Sequence, residues 1–272
     1  MKLWRRLHAA RRWCLRQNLL LTAISCVMAL YLSLDTQHSV QANESPAPPS
    51  PQAAEALLPS PQVHPLPPTL ADWLSNDQGD YFAEIQPTNM GYLVWSEFPV
   101  QVYLDPAIAP DSPITTGNPL VQTWLEAVQG AIAEWNTYIP LEIVETPDAA
   151  DITIMRQTPP LDIQPGQPLR SRSAETRYEF YADTQPPIPV LSHRFQIFLR
   201  SDQSRDYIQA SARHELGHAL GIWGHSDSET DALYFSQVRN PAAISVRDIN
   251  TLQKIYQQPT RLGWEFPSAA IP

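Results

Sequence analysis

The sequence HELGHALGIWGH, which begins at His214, constrains this chain more than any other segment. Residues four apart lie on one face of an α-helix with Cβ atoms about 5–6 Å apart, so His214 and His218 can direct imidazole nitrogens at one cation. Glu215 then lies beside that cation, where it can hold a water molecule. Gly221 favours a turn after the helix, and the turn can bring His225 to a third ligand position. Three protein ligands leave a fourth position for water, which is typical of catalytic Zn²⁺.

Other interpretations of this segment stay open from the residues alone. The helix can be an ordinary amphipathic one with solvated or core histidines, because the His-Glu-x-x-His pattern also arises by chance. Two carboxylates compete with His225 for the third ligand position. Asp227 is close in sequence, and Glu229 follows His218 by eleven residues, which is short for zinc proteases with a downstream glutamate. The distance from the glycine favours His225.

The motif resembles that of the metzincin metallopeptidases, and of their matrixin-like branch in particular. Their signature is His-Glu-x-x-His-x-x-Gly-x-x-His. The segments ALYFS at 232–236 and SVRDINTLQKIY at 245–256 also resemble the end of a matrixin catalytic domain. Weaker similarity extends back to about residue 92.

This resemblance implies a fold and a site. The implied fold is α+β (mixed α/β), a zincin domain with a twisted mixed sheet, an active-site helix and a small C-terminal helical subdomain. The implied site holds one Zn²⁺ through His214, His218 and His225, and it uses Glu215 as the general base in peptide-bond hydrolysis.

The chain departs from the metzincin pattern in three respects. One extra residue lies between Gly221 and His225, and no cysteine-containing pro-segment of the matrixin type is recognised. Metzincins place a methionine turn beneath the metal, yet no methionine follows Met155, and the corresponding residue is Tyr234. Tyr234 is expected to form the floor of the site or to donate a hydrogen bond to an oxyanion, and the floor role is favoured.

Charge and cysteine content exclude several classes of function. The first 42 residues hold six of the 18 lysines and arginines and one acid, so the remainder has 12 basic and 27 acidic residues. An acidic surface repels nucleic acid and anionic lipid, and neither is an expected partner. Cys14 and Cys26 both lie in the first 42 residues. The rest of the chain is therefore expected to have no disulfide, thiolate ligand or thiol nucleophile.

Four segments are predicted along the chain. Residues 1–42 are expected to be a signal peptide or an N-terminal membrane anchor, because basic residues precede the uncharged apolar stretch 19–34. Residues 43–70 are rich in proline and are expected to form an extended linker. The catalytic domain is predicted at 71–258, and a C-terminal tail at 259–272.

Hydrophobic periodicity and capping residues predict the secondary structure. Strands are expected at 92–95, 100–104, 141–145, 151–155, 176–181 and 194–200. Asn118 and Pro119 predict the start of an amphipathic helix whose tryptophans lie in the core. The motif helix is expected to begin near 204–207 and to run to residue 220. A last helix is expected to begin at Ser245, with Asp248 completing a capping box.

The strand at 194–200 is the predicted substrate strand. Metzincins bind substrate along an edge strand just before the active helix, and an extended peptide can add to such an edge. His193 flanks this strand, and His64 lies in the predicted linker. Both are expected to be solvated histidines.

These features together predict a secreted or membrane-anchored zinc metalloendopeptidase, with its catalytic domain outside the cytoplasm. It is expected to hydrolyse peptide bonds through a zinc-activated water, with Glu215 as general base. Its expected partner is a peptide or protein substrate, and the chain is expected to be a monomer. One alternative is a catalytically silent zinc-binding interaction domain of the cell envelope, against which Glu215 argues. The other is a structural envelope protein.

Overall fold

The described part of the structure is a computed structural model of residues 55–75, 77–105, 118–160 and 172–267. The described residues all belong to one compact unit, Pro49–Pro272. The predicted signal peptide or anchor and the first part of the predicted linker lie outside the described residues. In the described ranges, no helix has the length and apolar character to cross a membrane.

Four α-helices and five β-strands form the described fold. In chain order they are α1 (Pro68–Ala71), β1 (Val100–Asp105), α2 (Pro119–Trp135), β2 (Leu141–Val144), β3 (Ile152–Met155), β4 (Ala174–Asp183), β5 (Val190–Leu199), α3 (Arg205–Ala219) and α4 (Val246–Tyr256). Short 3₁₀ turns occur at Phe82–Glu84 and Pro147–Ala149. The fold is therefore mixed α/β, of the α+β kind, as the sequence predicts.

The five strands form one mixed sheet in the order β2-β1-β3-β5-β4. β1 runs parallel to β2 and β3, and β3 runs parallel to β5. β4 pairs antiparallel with β5 over its whole length. Because β5 has a neighbour on each side, the prediction that residues 194–200 form an edge strand is wrong. The outer strand on this side of the sheet is β4. The prediction failed because alternation of side chains identifies a strand but not its place in the sheet.

One predicted strand is not formed. Leu93, Val94 and Trp95 are buried, but residues 92–95 pair with no strand of the sheet. Instead, the indole Nε1 of Trp95 donates a hydrogen bond to the carbonyl of Ala219 at 2.9 Å. A run of apolar residues indicates that a segment is buried, but not that it pairs with a strand. Residues 92–95 are buried against the end of α3 without backbone hydrogen bonds to the sheet.

Helix α2 forms where its capping signals predict. The Asn118 side chain accepts a hydrogen bond from the Leu120 amide at 2.9 Å, and Pro119 occupies the first turn. Trp124 and Trp135 are completely buried, which confirms their predicted core role. The Trp135 indole donates to a carbonyl of α3, so α2 and the motif helix share one core.

Helix α4 begins with the predicted capping box. The Asp248 amide donates to the Ser245 hydroxyl at 3.0 Å, and the Ser245 amide donates to the Asp248 carboxylate at 2.7 Å. Ile249, Leu252 and Ile255 are completely buried on one face of the helix. This apolar stripe fixes α4 to the domain and holds its N-terminus close to the motif.

The packed region extends into the predicted linker and tail. Gln62 and Thr260 exchange two backbone hydrogen bonds at 3.0 and 2.9 Å. His64 is buried, stacks on Trp264 at 4.2 Å and hydrogen-bonds through Nε2 to the Leu262 carbonyl at 2.7 Å. The expectation of a solvated His64 is therefore wrong. Backbone groups of a proline-rich segment that make no local hydrogen bond are free to pair with a distant part of the chain, as those of Gln62 do with Thr260.

His193 is likewise not a solvated histidine. It lies within β5, is 4% exposed, and stacks on Trp95 with ring centroids 4.0 Å apart. Its Nε2 atom is buried without a hydrogen-bond partner. Burial lowers the pKa of His193 to about 3, so the ring is neutral at pH 7.

The buried His193 predicts an acid-sensitive core. Between its folded pKa of about 3 and the unfolded value of ~6.5, the unfolded chain binds a proton that the folded chain does not. Stability present above pH 6.5 is therefore lost as the pH falls, by about 1.4 kcal/mol per pH unit. We expect His193→Phe, which keeps a ring on Trp95, to flatten this slope.

The measurement is urea unfolding of both proteins at several pH values from 8 to 5. Groups common to the two chains cancel in the difference between their free energies of unfolding. That difference should stay constant above pH 7 and shift by about 2 kcal/mol in favour of the variant at pH 5. A difference independent of pH would contradict this role for His193.

Candidate metal centre

The motif lies at the C-terminal half of α3, where the helix ends and the chain turns back. α3 ends at Ala219, and Gly221 follows with a φ of +124°. A Cβ atom at Gly221 would lie 2.6 Å from the carbonyl oxygen of Leu93. Both the conformation and the lack of space require glycine here, which is the turning role predicted for this residue.

A tight turn joins Gly221 to His225. The Trp223 amide donates to the Gly221 carbonyl at 2.8 Å, and the Trp223 carbonyl accepts from the Gln86 amide at 3.1 Å. A Cβ atom at Gly224 would approach the carbonyl oxygen of Glu84 to 2.3 Å. The turn is therefore fixed against residues 84–86, and it returns the chain to His225 beside the helix.

Three imidazoles meet at one point. The Nε2 atoms of His214 and His218 are 3.1 Å apart. With His225 they form a group whose possible ligand atoms all lie within 4.8 Å of one another. Tetrahedral Zn²⁺ with bonds of about 2.0–2.1 Å needs nitrogens roughly 3.3–3.4 Å apart. The group is geometrically able to bind a metal ion of this kind.

Backbone carbonyls orient two of these rings. His214 Nδ1 lies 2.9 Å from the Ala232 oxygen, and His218 Nδ1 lies 2.7 Å from the Ile222 oxygen. A carbonyl only accepts, so each Nδ1 carries the proton and donates it. The lone pairs of both Nε2 atoms then point at the common centre, the tautomer that a metal ligand requires.

The N-terminus of α4 stabilises the orientation of the His214 ring through Ala232. The Ala232 amide donates to Asp248 at 2.9 Å, and the Tyr81 hydroxyl donates to the same carboxylate at 2.6 Å. Asp248 is completely buried, and burial raises its pKa, although these hydrogen bonds oppose that rise. Because Ala232 is held on its amide side by Asp248, its carbonyl is fixed in place for His214.

Two histidines of the group, His218 and His225, have lowered pKa values. Burial lowers the pKa of His218 well below its ordinary value, and the neighbouring His214 and His225 lower it further. Partial burial, with a further contribution from His214, lowers the pKa of His225 to about 4. Neutral imidazole is the form that binds metals, so the site needs no deprotonation of these two rings at pH 7.

Glu215 lies between His214 and His218 in the sequence of α3 and contacts the outer strand β4. It is 9% exposed, and the Thr176 hydroxyl of β4 donates to its carboxylate at 2.6 Å. Burial raises the pKa of the Glu215 carboxyl, whereas His214 and the Thr176 hydrogen bond lower it. Thr176 is a site residue that the sequence analysis misses, since nothing in the motif points to a residue 39 positions away.

The competing carboxylates stay outside this group. Among the described residues, the group capable of holding a metal consists of the three histidines alone. Asp227 and Glu229 are exposed, and Asp227 lies 3.4 Å from Arg247 in a surface ion pair. The geometry therefore favours His225 over either carboxylate.

The floor beneath the helix is Leu233 rather than Tyr234. Leu233 is completely buried, and a Cβ atom at Gly217 would lie 2.6 Å from its Cδ2 atom. Tyr234 is only partly buried, lines the cavity beside the histidines and contacts Phe235 at 4.5 Å. The favoured floor role for Tyr234 is therefore wrong. Residues 231–234 form a turn, closed by the Tyr234 amide donating to the Asp231 carbonyl at 3.2 Å, and this turn places Leu233 in the core and Tyr234 at the cavity.

Leu233→Ala should be much more destabilising than Tyr234→Ala. Truncating a fully buried leucine costs roughly 2–5 kcal/mol through lost burial and the cavity left behind. Tyr234 already contacts solvent, so its truncation should cost less. Denaturant unfolding of the two variants measures the difference, and equal losses would contradict the assignment of Leu233 as the floor.

A cavity of about 790 Å³ surrounds the three histidines. This volume lies within the range of ligand-binding clefts, roughly 300–1,000 Å³. Its walls come from the start of β4, from α3 and from the segment after Asp231. They include Arg172, Ala174, Thr176, Tyr207, Ala210, Ser211, Trp223, Phe235, Val238, Pro241 and Ala242.

Comparison of the sequence with models of protein families and with curated proteins found no match. Any function has to be argued from the residues of the site.

Proposed function

We propose that this chain is an exported zinc metalloendopeptidase with a metzincin-like domain. The observation that carries the proposal is the convergence of three imidazoles beside a buried glutamate, within a cavity bordered by the outer strand. In this proposal His214, His218 and His225 bind one Zn²⁺, and Glu215 is the general base. Export rests on the predicted signal peptide or anchor at 1–42.

The donor set suits zinc and leaves room for chemistry. Three imidazole nitrogens, two of them on rings whose Nδ1 atom is hydrogen-bonded to a backbone carbonyl, match a catalytic zinc site, which keeps a fourth position open. When bound, zinc would supply Lewis acidity toward a peptide carbonyl and lower the pKa of a water. Glu215 takes the proton of the attacking water on its carboxylate and passes it to the leaving amine. Thr176 holds that carboxylate in place.

The outer edge of β4 is suited to binding an extended peptide substrate. β4 pairs with β5 along one edge, and no described strand pairs with its other edge. An extended peptide can add to such an edge through main-chain hydrogen bonds. Residues 172–176 at the start of β4 also line the cavity, so a peptide bound there would pass beside the histidines.

The test combines metal analysis with a cleavage assay. The purified protein should contain about one zinc per chain, as expected for a three-ligand site. It should cleave casein, lose that activity with a chelator, and regain it when zinc is restored. Protein that contains no zinc, or that cleaves casein equally well with the chelator, would refute the proposal.

One observation favours the silent zinc-binding domain as a second candidate. The carboxylate of Glu215 is buried and already engaged by Thr176. A carboxylate held in this way can act as a general base only if one of its oxygens still reaches the attacking water. Stoichiometric zinc without cleavage of casein or of a mixed peptide library would support this second candidate.

A further inference from the structure

A buried arginine precedes the first ligand. Arg213 is 9% exposed, and its guanidinium forms a two-pronged ion pair with Glu134 of α2, one prong being Nη2 to Oε1 at 2.9 Å. Gln209 of α3 donates to the same carboxylate at 2.7 Å. Glu134 of α2 therefore holds the guanidinium, and Gln209 in turn holds the carboxylate of Glu134.

The remaining prong of Arg213 reaches the cavity wall. Its Nη1 atom donates to the carbonyl of Ala242 at 2.7 Å. Ala242 closes residues 236–242, here called the wall segment, several of which line the cavity. Among the described residues, the wall segment makes no backbone–backbone hydrogen bond. A second hydrogen bond joins the wall segment to α3, in which the Tyr207 hydroxyl donates to the Arg239 carbonyl at 3.0 Å.

We infer that Arg213 is a positioning residue that sets the width of the cavity and thereby selects the substrate side chain. The inference deepens the proposed peptidase function and rests on it, because only a peptidase has a substrate side chain to select. Glu134 fixes the guanidinium, and the guanidinium fixes the carbonyl of Ala242. The distance between the wall segment and α3 follows from that chain of contacts. Lysine could not replace arginine, because an ammonium lacks the planar fork that serves both partners.

The first arm of the test measures the wall segment directly. Arg213→Met should raise the rate at which trypsin cleaves the folded protein after Arg239 roughly 10- to 100-fold, the range expected for loss of a hydrogen bond to a charged group. The rate of cleavage after Lys254 in α4 and the zinc content should not change. Arg194→Met is the matched control, because Arg194 and Glu179 form an ion pair in which both side chains are more than half exposed. The control should leave cleavage in the wall segment unchanged.

The second arm measures selectivity. For peptides that differ only in a small or a bulky side chain near the scissile bond, the ratio of kcat/KM values should change by roughly tenfold, mainly through KM. A chain without peptidase activity would defeat the proposed function, while the rate of tryptic cleavage after Arg239 would still decide the role of Arg213. An unchanged cleavage rate in folded Arg213→Met would overturn the inference, as would unchanged selectivity in an active variant. If the methionine variant does not fold, Arg213→Lys decides by the same two measurements.

Discussion

Replacing Glu215 with alanine is expected to abolish most peptide hydrolysis while leaving the metal in place. A positioned general base contributes about 10²–10⁴-fold to turnover, so kcat should fall by at least that range. Glu215 is not one of the three residues that form the metal-binding group, and its side chain contacts β4 through Thr176. Zinc content and the circular dichroism spectrum should therefore match those of the unmodified protein.

The matched control for this experiment is Glu229→Ala. Glu229 is an exposed carboxylate close to the motif in sequence, but it lies outside the metal-binding group. The control should retain full turnover. Peptidase activity that survives Glu215→Ala would refute the mechanism, although it would leave the metal site standing.

The local parts of this architecture could be predicted because short-range chemistry determines them. The Ser245 and Asp248 capping box forms as expected, since both partners lie within one helical turn. The approach of His214 to His218 follows in the same way from the four-residue repeat of a helix. Each of these interactions depends on backbone geometry that neighbouring residues fix by themselves.

The long-range parts could not be predicted from periodicity. Thr176 meets Glu215 only because β4, not β5, is the outer strand beside α3. Arg213 likewise meets Glu134 across 79 residues, and neither residue belongs to a recognisable pattern. The prediction that His193 is solvated was wrong for the same reason, because its stacking partner Trp95 is nearly a hundred residues away in sequence. Such contacts depend on the order of strands and helices in space, which alternation of side chains does not encode.

His225→Ala is expected to remove most of the zinc and, with it, all measurable peptidase activity. Loss of a residue that only supports a ligand typically lowers metal affinity 10–100-fold, so loss of a ligand itself should cost more than ~100-fold. His225 closes the group from outside the helix, and the turn through Gly224 holds it there. Zinc that binds only the folded state also stabilises it, so the rise in Tm on adding zinc should vanish in this variant.

The competing assignment of the third ligand is tested by Asp227→Ala. Asp227 has an 87% exposed side chain and an ion pair with Arg247 at 3.4 Å, and surface pairs of this kind contribute little to stability. This variant should bind zinc with unchanged stoichiometry and keep its activity. Zinc titrations of both variants at equal protein concentration give the answer. If Asp227→Ala loses zinc and His225→Ala retains it, the third ligand is the carboxylate, and the metal centre proposed for this chain has to be redrawn.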